Sequence, residues 1–276
     1  MGRLQGKVAL VTGAARGQGR AHAIRMAEEG ADIIAVDICA AVETVPYEAA
    51  TREELEVTAK EVEVRGRKVV SRAADVRDYP VLKATVEEGV AELGRLDVVV
   101  ANAGIWSHAP SHEMPEAQWQ AMIDVNLTGV WHTTKAATPI MIEQGSGGSM
   151  ILISSTAGLM GFPNMAHYTA AKHGVTGLTK TLAAELGPHN IRVNSIHPTG
   201  VLTKMVDNDT MFRLFRPDLE NPGIDEAAEA LAQLNILPLP WMDPVEISHS
   251  VVFLASEEAK YITGVALPVD AGSTQK

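Results

Sequence analysis

Short, continuously apolar runs recur along this chain, and between them lie longer stretches whose apolar residues return every three or four positions. The short runs, rich in Val and Ile and bounded by turn residues, predict strands at 8–12, 32–37, 68–72, 96–101, 149–154, 191–197 and 265–269. The longer stretches predict helices at 17–29, 51–64, 79–93, 116–143, 166–186 and 244–256. Unbroken apolar strands that alternate with helices belong to a parallel sheet covered on both faces. The expected fold class is therefore α/β: a three-layer, doubly wound architecture with a seven-stranded parallel sheet in a single domain, residues 1–276. Two segments break the rhythm, 38–50 after the second strand and 199–243 after the sixth. Ligands of doubly wound sheets sit beyond the carboxyl ends of the strands, so both segments fall on the functional edge. The longer one carries Met205, Met211, Phe212, Phe215, Pro217, Pro222, Pro238, Pro240 and Trp241. It is expected to form an apolar substrate lid, with a surface loop or subunit contact as the alternative.

Length and charge narrow the function. A chain of 276 residues suits one core, since single α/β domains run to roughly 250 residues. The formal net charge of -11 offers phosphate backbones no attraction, so the expected partner is a small neutral or apolar molecule and not a nucleic acid. Cys39 is the only cysteine, which excludes an intramolecular disulfide and speaks against a thiolate zinc site. No apolar run approaches the ~20 residues of a membrane span, and the stretch Met1 to Lys7 has no apolar signal core; a cytoplasmic protein is expected. His108 and His112 lie near Asp97 and Glu113 in sequence without a third spaced ligand, so no metal is expected.

The run ending at Val11 opens into Gly13-Ala14-Ala15-Arg16-Gly17-Gln18-Gly19, and a helical pattern follows. A glycine loop between strand and helix lets bare backbone approach a pyrophosphate, while the free amides and positive end of the helix favour the anion. Asp37 ends the second strand, eighteen residues beyond Gly19. A carboxylate there accepts from ribose hydroxyls and repels a 2′-phosphate, which favours NAD over NADP. Arg16 pulls the other way, since a basic residue in the loop can hold a 2′-phosphate.

Candidate chemistry lies at Ser155, Tyr168 and Lys172. Tyr168 and Lys172 are four apart in a helical pattern and share one face; Ser155 follows a strand end thirteen residues before Tyr168. Moving a hydride to or from a carbonyl carbon requires a proton to move at the oxygen, and Tyr168 can give or take it. A free phenol titrates near about 10, too high for a base at neutral pH. A unit charge ~4 Å away at an effective dielectric near 20 is worth up to ~4 kcal/mol, about three pKa units. Lys172 and an oxidised nicotinamide ring together would supply that charge, and Ser155 would hold the substrate oxygen. A non-catalytic nucleotide sensor, and a lyase or epimerase using the nucleotide without net redox change, stay open as alternatives.

These residues, in this order, resemble the short-chain dehydrogenase/reductase family, a group with the Rossmann fold, over essentially the whole chain. Thr12 to Gly19 matches the family's cofactor motif, Asn102-Ala103-Gly104 the motif after the fourth strand, and Ser155, Tyr168 and Lys172 its catalytic residues. The resemblance further implies that Asn126 positions a water in a proton relay with Lys172. It implies that Asp75 and Val76 contact adenine, with Ile38 beside Asp37, and that Val201 and Thr203 hold the carboxamide next to Pro198. The family's Pro-Gly after the sixth strand reads Pro198-Thr199-Gly200 here. A narrower similarity, carried by Gly13 to Gly19, Asp32 to Cys39, Pro46-Tyr47 and His197 to Gly200, is to its actinobacterial carveol-dehydrogenase-like, mycofactocin-associated branch. That branch implies oxidation of a secondary, cyclic terpenoid-like alcohol to its ketone, with NAD retained and re-oxidised by a peptide-derived redox carrier.

The family resemblance also implies a homotetramer, with Ala170, Ala171, Gly174 and Gly177 allowing close helix approach between subunits or onto the helix's own sheet. Met160 and Phe162 are expected to flank the substrate, and Trp106 to line the pocket or serve a surface. His167, adjacent to Tyr168 and so pointing elsewhere, is expected to face solvent or another subunit.

Overall fold

The computed structural model describes residues 2–276. Its sheet has seven strands: β1 (Val8–Thr12), β2 (Asp32–Asp37), β3 (Val69–Ala73), β4 (Val98–Ala101), β5 (Gly148–Ile153), β6 (Ile191–Pro198) and β7 (Ala266–Val269). All pairings are parallel, in the order β3-β2-β1-β4-β5-β6-β7. The doubly wound expectation holds, and each expected strand is present within two residues of its predicted bounds.

Period-two geometry explains why the strands read as unbroken apolar runs. Ala9, Val11, Ile33, Ala35, Val98, Val100, Ile151 and Ile153 face one buried cluster. Their neighbours Val8, Leu10, Ile34, Val36, Val99, Ala101, Met150 and Leu152 face the other. Helices α1 (Gly17–Glu28), α2 (Arg52–Val64) and α9 (Pro244–Ala255) cover the first face. Helices α3 (Tyr79–Leu93), α5 (Gly129–Gln144) and α6 (Ala166–Leu186) cover the second. Strand order reverses between β1 and β4, and there the crevice opens at the strands' carboxyl ends.

Two differences from the sequence expectation matter. The predicted helix 116–143 is interrupted: α4 (Glu116–Ile123) passes through a π-helical turn, Asp124–Thr128, before α5 begins. A π turn widens the helix by one residue and frees local backbone, a feature that gathers at functional sites. The second difference is in 199–243, which contains helices α7 (Asp209–Phe215) and α8 (Ile224–Ala232) where irregular chain was expected. Phe212, Ala227 and Leu231 form a small core with Val206, Phe215, Ile224 and Trp241. The segment is tied back where Val201 lies opposite Met242, the Leu202 amide donating to the Met242 carbonyl and the Met242 amide to the Gly200 carbonyl, and its far end is held by the Ile236 and Leu237 amides donating to the Ala271 carbonyl.

Candidate active site

The glycine loop folds as a backbone cradle. Gly13 and Gly17 have φ of 69° and 55°, a region L side chains rarely adopt. A Cβ on Gly13 would lie 2.9 Å from the Cα of Ala103, and one on Gly19 would strike the carbonyl oxygen of Gly13. Nothing but hydrogen fits at either position, so the loop packs closely on the chain after β4, while its Ala14 and Ala15 amides donate to the Val36 carbonyl and the Asp37 carboxylate. Helix α1 starts there with no side-chain cap on its first amides, which leaves them free for an anion. The loop is fixed to β4 by Thr12: its Oγ1 accepts from the amides of Asn102 (3.1 Å) and Ala103 (3.2 Å), and Asn102 Nδ2 donates to the Thr12 carbonyl (2.9 Å).

Asp37 is buried at the end of β2. Its Oδ2 accepts from the Ala15 amide at 2.9 Å and its Oδ1 from the Cys39 amide at 3.1 Å, so the carboxylate is held in place at the loop. Arg16 turns away from any role as an isolated phosphate clamp. Its guanidinium donates to the carbonyls of Glu48 and Ala49, and lies 3.8 Å from the Glu54 carboxylate. Asp75 is likewise committed, to Arg77 at 2.6 Å, beside buried Val76.

One cavity brings most of the expected residues together: Gly13, Arg16, Gly17, Gln18, Gly19, Asp37, Ile38, Asp75, Val76, Asn102, Ala103, Gly104, Tyr168, Lys172 and Thr203 all line it. The bare glycine floor, a fixed carboxylate at the second strand and free helix amides fit a dinucleotide with an unphosphorylated ribose. Ser155, Asn126, Pro198 and Val201 are not on this wall. Pro198 pairs with Val269 at the end of β6, and the Val201 side chain packs into the core beneath α1 and α9.

Lys172, buried on α6, donates to the Ile153 carbonyl at 3.0 Å; its Nζ lies 5.6 Å from the centre of the Tyr168 ring. Burial pushes its pKa down to about 8. Burial also pushes the Tyr168 phenol above its ordinary value, and the Ser155 side chain works against that rise. Lys172 does not by itself bring the phenol toward neutrality, so the shift expected from the sequence depends on the further charge of an oxidised nicotinamide. Asn126 sits fully buried on the π turn. Its side chain is used up by the 105 backbone: Oδ1 accepts from the Ile105 amide and Nδ2 donates to the Ile105 carbonyl, both at 2.8 Å. Its side chain therefore anchors the loop beside Gly104 and Lys172.

Several surrounding residues differ from expectation. His167 faces neither solvent nor a second subunit: it is fully buried, with Nε2 3.0 Å from Ser107 Oγ. Trp106 is buried too, and its Nε1 donates to Met165 Sδ at 3.3 Å. Of the apolar lid residues only Met205 lines the cavity, because Phe212, Phe215 and Trp241 are spent on the segment's own core. Sequence reasoning gave no role to two residues. Tyr47 lines the cavity and its hydroxyl accepts from the Trp106 amide at 3.1 Å. His197, fully buried on β6, reaches the carbonyl of Ser155.

A dinucleotide cradle at the switch point of a parallel sheet, with a tyrosine and lysine one helical turn apart on its wall, defines a nucleotide-dependent oxidoreductase of the Rossmann type. The family model for short chain dehydrogenases matches residues 7–213, and the chain belongs to that family. A (-)-trans-carveol dehydrogenase of Rhodococcus erythropolis is 54% identical over 278 residues, covering 100% of both chains. The crystal structure of a carveol dehydrogenase from Mycobacterium avium in complex with NAD superposes with a TM-score of 0.99 at 55% identity, again over 100% of both. A short chain dehydrogenase from Mycobacterium paratuberculosis bound to NAD gives a TM-score of 0.92 at 45% identity, over 100% of both chains.

Proposed function

We propose that the protein interconverts a secondary alcohol and its ketone with NAD, and that the alcohol is small, apolar and cyclic, of the carveol type. The observation that carries this reading is the placing of Tyr168 and Lys172 on the wall of the glycine-floored cavity that Asp37 closes. Gly13, Gly17 and Gly19 receive the pyrophosphate and Asp37 the adenosine ribose. Asp75 and Val76 flank the adenine, and Asn102 to Gly104 with Thr203 line the remainder. Bound NAD supplies the hydride acceptor for oxidation and, once reduced, the donor for the reverse direction.

The chain does the rest. Ser155 orients the substrate oxygen, and the Tyr168 phenolate takes the hydroxyl proton as the carbinol hydrogen leaves as hydride. In reduction, the phenol returns that proton to the oxygen. Lys172 holds positive charge beside the phenol, and the main chain of the π turn at Asn126 links Lys172 to solvent. Because Tyr168 acts as the base in one direction and the acid in the other, oxidation quickens and reduction slows as pH rises.

The same reading includes a retained NAD that is re-oxidised in place by a peptide-derived redox carrier. Its support is the segment 38–50, pinned across the cavity by Arg16 at Glu48 and Ala49 and by Tyr47 at Trp106. A homotetramer is also proposed, supported by exposed Trp119 and Trp131 on α4 and α5 and by Ala170 and Gly177 on the open face of α6. Ala171, by contrast, is buried in its own protomer, and Gly174 packs on Leu127. No described helix is long and apolar enough to cross a membrane; a cytoplasmic location is part of the proposal.

Tyr168→Phe tests the chemistry. It should lower carveol oxidation by about 100- to 10,000-fold while NAD binding, read by calorimetry, stays as in the parent; undiminished turnover removes Tyr168 from the mechanism. Quenching the purified protein and identifying the released nucleotide, before and after incubation with labelled NAD, tests retention. NADP in place of NAD overturns the role given to Asp37.

A further inference from the structure

His197 lies outside the cavity, yet one of its hydrogen bonds reaches Ser155, the residue to which the proposed reaction assigns the substrate oxygen. Past the last sheet bond, from the Ser154 amide to the Ile196 carbonyl, β5 leaves its neighbour and Ser155 stands free of the ladder. Three contacts then hold it. The Ala157 amide donates to Ser155 Oγ at 3.1 Å, and the Gly158 amide to the Ser155 carbonyl at 2.8 Å. The third is His197 Nδ1, 2.8 Å from the same carbonyl.

A carbonyl only accepts, so Nδ1 must carry the proton. Nε2 is then a bare acceptor, and the Ser195 hydroxyl 2.8 Å away donates to it. The tautomer is thus fixed by its two partners and not by a nearby charge. Burial holds the imidazole pKa below its ordinary value, against the opposing pull of the Ser155 carbonyl, and the Lys172 ammonium acts in the same direction as burial; the shift favours the neutral ring. His197 and Ser195 are both fully buried.

We infer that His197 is a positioning residue for the alcohol–ketone chemistry: through Nδ1 it sets the main chain of Ser155, and so the point from which the serine hydroxyl meets both the substrate oxygen and the Tyr168 phenol. This rests on the proposed reaction at Tyr168. The prediction is specific because Ser155 acts against the burial-driven rise of the phenol. If the serine drifts, Tyr168 ionises later, and the pH profile of oxidation moves to the alkaline side.

His197→Asn places an amide donor near the site of Nδ1, whereas His197→Gln places it near Nε2. Both are polar and of similar bulk, so a general packing defect would affect them alike. His197→Gln should lower kcat for carveol by about 10- to 100-fold, the order expected for ångström-scale misplacement, and shift the pH limb of kcat upward, with KM for NAD little changed. His197→Asn should recover most of both losses. In a Ser155→Ala background the two variants should be indistinguishable.

Titration of Tyr168 by NMR in 13C-tyrosine-labelled protein reads the same shift without turnover. Absence of carveol oxidation in the parent would therefore count against the assigned reaction while leaving the claim for His197 open to decision. Equal loss in both variants, an unshifted Tyr168 titration in His197→Gln, or a full additional loss on top of Ser155→Ala overturns the proposal. Should His197→Gln not fold, His197→Asn decides alone: a Tyr168 titration unlike the parent's overturns it, and one like the parent's supports it.

Discussion

The two irregular segments on the functional edge behave in opposite ways. Segment 38–50 has no helix or strand, yet it reaches the cavity with Tyr47 and receives Arg16 on its backbone carbonyls. Segment 199–243 carries the bulkier apolar side chains, yet it buries Phe212, Phe215 and Trp241 among themselves and presents little more than Thr203, Lys204 and Met205 to the cavity. The difference teaches that an apolar loop first satisfies its own need for burial. A buried Phe or Leu is worth roughly 1.5–3 kcal/mol wherever it is buried, and a neighbouring helix is nearer than the substrate. The shorter segment has no helix of its own to pack against; Cys39 and Ala50 pack on the sheet's core, and hydrogen bonds from Arg16 and to Trp106 hold the rest against the site it covers.

If the longer segment is a subdomain with a separate core, Phe212→Ala should cost that core about 3–5 kcal/mol. Hydrogen exchange should then speed up across α7 and α8 while NAD affinity is retained; a parallel loss of NAD affinity would merge the two segments into one unit. Acid probes the scaffold from which both hang. His22 is fully buried between α1 and α9, bonded to Ser248 at 2.8 Å, and burial lowers its pKa from 6.5 to about 3. The unfolded chain binds the proton first, so the stabilisation is complete above pH 6.5 and is lost as pH falls toward 3. Denaturant melts should show about 2 kcal/mol lost between pH 7 and 5, and His22→Gln should flatten that slope.

Tyr47→Phe removes the acceptor for the Trp106 amide. It should speed release of NAD by about 10-fold, equivalent to about 1.4 kcal/mol, with exchange in α7 and α8 unaltered; an unchanged release rate would dissociate segment 38–50 from retention. The smallest effect is expected at Thr199, whose Oγ1 donates to buried Asn235 over 3.3 Å. Thr199→Val should cost about 0.5 kcal/mol in chemical denaturation and move substrate KM by less than about twofold.

The sheet, its helices and the glycine cradle were legible because each follows from a local rule: apolar runs, helical spacing, and a loop where only glycine fits. Asp37, Tyr168 and Lys172 were legible for the same reason, as chemistry at strand ends and on one helix face. The π turn was not, because Val125, Asn126 and Leu127 continue an ordinary helical pattern and only the Ile105 backbone tells that Asn126 turns inward. His197 was hidden inside a strand, where period two says that it is buried but not what it meets. His167 was misjudged because a helical wheel knows nothing of the loop at Ser107 that closes over it.

One consequence of strand order concerns the time at which the cradle exists at all. The glycine loop is spelled out near the start of the chain, but β1 lies beside β4, with Val11 opposite Val100, and Thr12 is fastened to Asn102 and Ala103. A chain emerging from the ribosome shows the complete nucleotide motif long before the strand that seats it has been made. Such distant pairing is slow to form, because a long loop must close before any contact rewards it. The earliest-written part of the site is therefore among the later parts to become real, and nucleotide can steady the fold only after the fourth strand has arrived.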